Sequence, residues 1–316
     1  MTLCASAFRL RSLPCLRDIF SYGFSGDNKM KGALVVNNFL ATEKFRDIYS
    51  RLETAFSERE VSLSLYTNSS LCHIHGEDIP FREKPDFVLF WDKDVSLARA
   101  IEEKGILCVN SADAIEKCDD KAKMHLALGD IPCPKTIIAP MTFPNIGFTD
   151  TSFLTSVAER LGFPIVVKEV CGSFGAQVYL ARDFDELLKI TTEHQSVPLL
   201  FQELIEESFG RDIRINVVGG RVCAAMLRES KNGDFRSNVT LGGGTLPYSP
   251  SDAECELALE AAKRLGLDFA GIDILFGKRG PLLCEVNSNA HFKSTYDCTG
   301  VDLAACIAEH IIKKAI

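Results

Sequence analysis

Residues 271–287, GIDILFGKRGPLLCEVN, constrain the fold more than any other stretch of this chain. Two apolar runs joined by Gly277-Lys278-Arg279-Gly280-Pro281 read as a β-hairpin with a polar turn. Arg279 is equidistant from Asp273 and Glu285, so a symmetric hairpin sets those carboxylates opposite each other, with Cβ atoms about 4.5–5.5 Å apart. Asn287 lies two residues further along and shares the face of Glu285. Facing carboxylates repel unless a cation sits between them. Two carboxylates and an amide oxygen form a hard, all-oxygen set suited to Mg²⁺. Taken alone, the hairpin reads equally well as a solvated polar face on a sheet edge.

The bulk numbers leave room for two or three subdomains. The chain has 316 residues, 46% of them hydrophobic, and a net charge of −8. No basic block offers phosphate neutralisation, which argues against a general nucleic-acid binder. No run approaches the roughly 18 apolar residues a membrane helix needs. The twelve cysteines show no CxxC pair or disulfide framework, and Cys108, Cys223, Cys284 and Cys306 fall inside apolar runs. A reducing cytoplasm is the expected setting. Residues 1–29 carry Arg, Ser and Cys without a sustained apolar run. They read as a flexible extension, or as a start placed upstream of Met30, with an organellar presequence as a further alternative that Asp18 and Asp27 weaken; protein beginning at Met30 is expected to fold and act normally.

From Lys31 the pattern alternates strand and helix: ALVVNNF, then a helix with Phe45, Ile48, Leu52 and Phe56 on one face, then VSLSLYT, PDFVLFW, a helix ending at Gly105, and ILCVN. This predicts a parallel sheet in an N-terminal α/β domain, residues 30–118. Two short helices follow, with Ser111 and Asp119 or Asp120 as candidate N-caps. Residues 132–150, rich in Pro, Thr and Gly, read as a connection between subdomains. The remainder reads as α+β with antiparallel sheets, including a helix capped by Asp183 and a hairpin turning at Gly219-Gly220.

Several features carry chemistry. FPIVVKEVCGSFGAQVYL places Lys168 at a strand end and Gly172, Ser173 and Gly175 in a turn. Glycines let backbone N–H groups approach phosphate closely, and an ammonium adds charge. An ordinary glycine turn would look the same. Lys121 opens a helix, where the dipole disfavours a cation; it is either held for a ligand or solvated. Gln202 and Glu203 end a strand whose backbone could meet an adenine edge. Arg211, Arg214, Arg221, Arg228 and Arg236 crowd one region with few matching acids nearby in sequence, a pattern suited to carboxylate or phosphate recognition. The CHIH run at Cys72, His73 and His75 is too short for a structural zinc site.

From about Lys31 onward the order of these segments resembles the ATP-grasp carboxylate–amine ligases, and within them the RimK-like ribosomal-protein glutamate ligases. The matching text is FPIVVKEVCGSFGAQVYL, FQELIEESFGRDIRINVVGGRVCAAMLR, GDFRSNVTLGGG and GLDFAGIDIL…GPLLCEVNSN. The resemblance implies an ATP-grasp fold: the N-terminal α/β domain, a central lid over residues 119–205, and a C-terminal antiparallel α+β domain over 206–316. It implies ATP with Mg²⁺ or Mn²⁺, two ions, held by Asp273, Glu285 and Asn287. Lys121 and Lys168 would contact phosphates, and Gly172, Ser173 and Gly175 would form the lid loop. Gln202, Glu203 and Leu204 would hold the adenine, with Asp212 by the ribose. Arg236, Ser237 and Asn238 would line the triphosphate and acyl-phosphate region, with Arg228 nearby; Arg228, Arg236 and Asn238 would be catalytic. The implied activity is ATP-dependent amide formation between a small-molecule, peptide or protein carboxylate and an amino-acid amine. Neither nucleic acid nor membrane is implied; a homo-oligomer is open.

Two departures bear on the substrate. Leu241 stands where the glutamate-adding members carry arginine, and Ser288-Asn289-Ala290-His291-Phe292-Lys293 replaces their Ser/Ala-Pro-Gly. Both lie where the acceptor should bind, so the added amino acid stays open, with His291 and Lys293 as candidate readers. A catalytically silent ATP-binding sensor or partner module is the rival reading, and a dipeptide or cofactor-tail ligase shares the mechanism with a different acceptor.

Overall fold

A strand made only of apolar residues has no face to turn to water, so it must be covered on both sides. β3 (Phe87–Trp91) is such a strand, and all five of its residues are buried. The computed structural model describes residues 29–40, 42–172, 175–237 and 243–316. The expectations for residues 1–28, Ser173, Asn238 and Leu241 fall outside these. β1 (Lys31–Val36), β2 (Ser62–Thr67), β3 and β4 (Leu107–Val109) form a parallel sheet in the order β2-β1-β3-β4. Helices α1 (Glu43–Ser57) and α2 (Val95–Glu103) connect the strands, burying Ile48, Leu52 and Phe56, and Leu97 and Ile101, respectively. Helices α3 (Ala112–Asp119) and α4 (Lys121–Leu128) follow. Ser111 caps the first and Asp120 the second. Asp119 is excluded as a cap because its carboxylate accepts Lys93 Nζ at 2.7 Å.

The next unit holds β5 (Thr136–Ile138), α5 (Phe153–Leu161), β6 (Ile165–Glu169), β7 (Val178–Ala181), α6 (Phe184–Glu193) and β8 (Leu199–Glu203). Its strands pair antiparallel in the order β5-β8-β6-β7. The 132–150 stretch is therefore more than a connection, since β5 pairs with β8 as an edge strand. Three residues carry too little periodicity to announce themselves; the partner strand creates the element. Asp183 caps α6 as expected, accepting from Glu186 N.

The C-terminal part holds β9 (Arg211–Val218), β10 (Arg221–Glu229), β11 (Gly244–Pro247), α7 (Asp252–Leu265), β12 (Phe269–Gly277), β13 (Gly280–Asn287), α8 (Lys293–Thr299) and α9 (Leu303–Ala315). The sheet order is β11-β10-β9-β12-β13, antiparallel throughout. Gly219 and Gly220 both adopt left-handed φ, 56° and 69°, as a tight primed hairpin turn requires. A capping box between Ser251 and Glu254 starts α7.

Core membership decides what can move. Trp91 stacks on Phe269 with centroids 5.2 Å apart and meets Phe292 edge-on at 5.7 Å, so the N-terminal sheet and the C-terminal sheet share one core with α9. Met124 and Leu128 of α4 pack with α7 and the C-terminal sheet. Leu154, Val157, Ile165, Val167, Leu187 and Phe201 form a separate core inside the β5–β8 unit. That unit can therefore shift as a body without opening any other core. Among the described residues, no helix is long and apolar enough to cross a membrane.

Candidate active site

The hairpin turns tightly at Lys278-Arg279, pairing Gly277 with Gly280 and Ile274 with Leu283. Continued unchanged, that register would set Asp273 opposite Cys284. Instead it shifts by one residue there, and Asp273 faces Glu285 while Gly271 faces Asn287. A bulge at Cys284 thus restores the pairing that a turn centred on Arg279 would give. The carboxylates meet as expected, by a route the sequence does not show.

The neighbouring strand supplies counter-charges. β9 lies beside β12, with Arg214 across from Asp273, and beside β10, with Asp212 across from Arg228. Arg214 donates through Nε to Asp273 Oδ1 and through Nη2 to Oδ2 at 2.8 Å. Arg228 grips both oxygens of Asp212, at 2.6 and 2.5 Å, and its Nη2 lies 3.0 Å from Asp273 Oδ2. The arginines were expected to have few matching acids; pairing across strands corrects this, because acids distant in sequence are adjacent in the sheet. Burial pushes the Asp273 carboxyl up, but Arg214 and Arg228 outweigh it and hold it below the usual carboxylate range. Asp212, with both oxygens on Arg228, is 6% exposed. Arg236 is clasped by Asp234 at 3.0 and 2.7 Å and donates to the carbonyls of Gly175 at 2.8 Å and Val178 at 3.3 Å, bridging to the β5–β8 unit. Ser237 beside it is buried. Arg211 lies over the Phe276 ring.

Two lysines complete the cleft. Lys168 of β6 is 7% exposed, and its ammonium lies 3.9 Å from Cys284 Sγ, at the bulge. Lys121, the first residue of α4, is 6% exposed; its Nζ lies 3.3 Å from the Gly172 carbonyl and 3.7 Å from Glu285 Oε1. The hairpin, α4 and the β5–β8 sheet therefore converge on one point. Burial pushes the Cys284 thiol up to about 11, with the Lys168 charge opposing it. At the cleft's far end, Gln202 Nε2 donates to Thr136 Oγ1 at 2.9 Å and lies 3.2 Å from His125 Nε2. Glu203 accepts from Lys135 N at 2.8 Å, where β8 ends and Leu204 begins the connection. Among the described residues no group of three or more His, Cys, Asp and Glu gathers as a metal set, and an ion at the hairpin would need Asn287.

Burial, reinforced by the Lys168 charge, drives His125 down to about 4; burial and Lys44 do the same to His291. Both imidazoles are neutral when folded and titrate near 6.5 when unfolded. The unfolded chain binds more protons between those values, so stability falls as pH drops from 6.5 toward 4. Urea midpoints at pH 7 and pH 5 should show the loss, and His125→Gln should narrow the difference; an unchanged difference would count against this assignment.

Beyond the hairpin opens a cavity of about 1220 Å³, lined by Asp92, Arg214, Glu285, Asn287, Asn289 and His291 among others. His291 and Lys293 near it are marked by the sequence, whereas Asp92, Asn289, Cys284 and the specific role of Arg214 emerge from the assembled fold. For Asp92 a signal exists: a carboxylate directly after a wholly apolar strand marks the strand's carboxyl end, where α/β sheets bind ligands.

A site between two antiparallel sheets, with buried Lys168 from one, acidic oxygens from the other and buried Lys121 of α4 beside them, defines an ATP-grasp architecture. The chain belongs to the RimK-like ATP-grasp family: the RimK-like ATP-grasp domain matches residues 118–311. It is 36% identical over 223 residues to human N-acetylaspartylglutamate synthase A, covering 69% of this chain and 56% of that protein. It is 35% identical over 224 residues to a probable α-L-glutamate ligase of Pasteurella multocida, covering 69% and 68%. It thus spans little more than half of the human relative. The fold matches ATP-grasp ligase PsnB, solved with a precursor variant, Mg and ADP, at a TM-score of 0.68 and 18% identity, covering 92% of this chain and 100% of that one.

Proposed function

We propose that this chain is a carbon–nitrogen ligase that uses ATP and Mg²⁺ to join a carboxylate to an amine. One observation carries the reading: Lys168 and Lys121, both buried, converge with Glu285 in one cleft. Among the described residues the Lys168 ammonium has a thiol 3.9 Å away as its hydrogen-bond partner and no paired anion to offset its desolvation. Phosphate oxygens are such an anion. The hairpin oxygens fit a hard cation. Asn287 donates its amide N–H to Gly271 O, directing its acceptor capacity elsewhere, Glu285 is half-buried, and Asp273 keeps lone pairs its arginines do not use. Glu285, between the other two along the face, can serve both of two ions.

When bound, ATP and its ions supply a phosphoryl group that activates the carboxylate as an acyl phosphate open to attack by the amine. The chain's residues position and screen. Lys121 and Lys168 neutralise phosphate charge, and Arg228, fixed by Asp212, sits where negative charge develops. Asp212 is thereby assigned to holding an arginine rather than a ribose. The backbone at Gln202, Glu203 and Leu204 receives the adenine. Closure of the β5–β8 unit, latched through Arg236 to Gly175, excludes water. For Ser173, Ser237 and Asn238 the support is the resemblance alone. Glutamate in the relatives' names makes L-glutamate the first amine to test, with N-acetylaspartate, small peptides and amino acids as acids, in a cytoplasmic setting.

The test is a phosphate-release screen over pooled acids and amines, with mass spectrometry of products. A condensed product, one water lighter than its parts, should form with one ADP each. Glu285→Gln should lower the rate about 10²–10³-fold without loss of fold. ADP without any condensed product, or wild-type turnover in that variant, would overturn the reading.

A further inference from the structure

The parallel sheet order β2-β1-β3-β4 means that the chain winds one way from β1 and the other way from β3. Ligands in such sheets bind outside the strands' carboxyl ends at that switch point. Asn37 and Asp92 are the first residues past the ends of β1 and β3, and both line the 1220 Å³ cavity that reaches Glu285 and Asn287.

Asp92 is 5% exposed. Its Oδ1 accepts from Asn37 Nδ2 at 3.0 Å and from Lys93 N at 2.7 Å, yet it enters no ion pair among the described residues; Lys93 sends its ammonium to Asp119. A buried carboxylate whose neighbouring cation, Lys93, is ion-paired to another acid is unfavourable unless a further partner arrives. Two neighbours share the deficit. Asn289 donates its amide N–H to Asp92 O at 2.6 Å, leaving Oδ1 buried without a donor. His291 Nε2 lies 3.1 Å from Lys44 O. A carbonyl only accepts, so that nitrogen carries the hydrogen, and Nδ1 is a bare, buried lone pair. Two groups around one cavity want donors, and Asp92, whose oxygens already accept from Asn37 and Lys93 N, wants positive charge. A primary ammonium supplies both.

We propose that the crevice between β1 and β3 seats the amine substrate, with Asp92, Asn289 and His291 receiving the ammonium of a free amino acid. This rests on the ligase reading and adds to it which end of the site reads the amine. It also gives the 288–293 departure from the family pattern a task, since two of the three groups lie in it.

The experiment is titration of the protein, preloaded with Mg²⁺ and a non-hydrolysable ATP analogue, with each proteinogenic amino acid and its Nα-acetyl form. At least one free amino acid should bind saturably, its acetylated form at least tenfold more weakly. Asp92→Asn, equal in size, should weaken that affinity at least tenfold and leave nucleotide affinity within twofold. Asn289→Leu serves as the second variant and should act in the same direction. Unchanged amino-acid affinity in both variants, equal binding of the acetylated form, or no binding by any amino acid would overturn the proposal. Failure of the wild type to bind the nucleotide would instead defeat the ligase reading.

Discussion

Lys168→Met should lower ATP turnover about 10²–10³-fold, the scale of losing one preorganised group that stabilises transition-state charge. The same change should raise the stability of the ligand-free protein. Methionine matches the shape of the lysine stem, and the variant no longer buries an ammonium whose hydrogen-bond partner is Cys284 Sγ at 3.9 Å. Opposite signs for activity and stability mark a group kept for its ligand rather than for the fold. A further readout is His125, held down to about 4 by burial first and by Lys168 second. Its titration, followed by NMR, should move upward in the variant, part of the way toward 6.5. Lower stability together with normal turnover would mean that Lys168 is structural.

Arg228→Met should instead destabilise the protein and unfold it readily. Among the described residues it leaves Asp212 without a partner on either oxygen, and it strips Asp273 of one of its two arginines. Removing one member of a buried ion network costs about 3–5 kcal/mol, because the remaining charge stays desolvated. Denaturant titration reads this directly, and Arg228→Met with Asp212→Asn should recover part of it. The pH dependence has a definite sign. Asp273 is held below its ordinary value in the folded state, so its contribution is present above about pH 4 and is lost as pH falls through the depressed value. The deficit of Arg228→Met should therefore be widest near neutrality and narrow below pH 4. A loss under 1 kcal/mol at pH 7 would mean that water already reaches the network.

Much of this architecture was legible in the residues. Apolar runs such as FVLFW dictate covered strands, capping residues such as Ser111 and Asp183 start helices as they should, and the mirror spacing of Asp273 and Glu285 points to the facing carboxylates that a bulge then secures. The remainder depended on contacts between segments far apart in the chain. β5 exists because β8 pairs with it. The bulge at Cys284 follows from a two-residue turn meeting a fixed pairing of Asp273 with Glu285. Arg214 and Arg228 looked unmatched because Asp273 and Asp212 become their neighbours only when β9, β10 and β12 lie side by side. Asp92 was overlooked for the same reason: its missing counter-charge is visible only once the buried surroundings are assembled.

Oxygen tracing tests the central claim most directly. Acids carrying ¹⁸O in their carboxylates, N-acetylaspartate among them, would be supplied with ATP, Mg²⁺ and a pool of free amino acids. Attack of a carboxylate oxygen on the γ-phosphoryl group, followed by displacement by the amine, must leave that oxygen on the released phosphate. The expected result is one ¹⁸O-labelled phosphate and one ADP for each amide formed. Phosphate released without label would show that water, and not a carboxylate, takes the phosphoryl group, and would contradict the account.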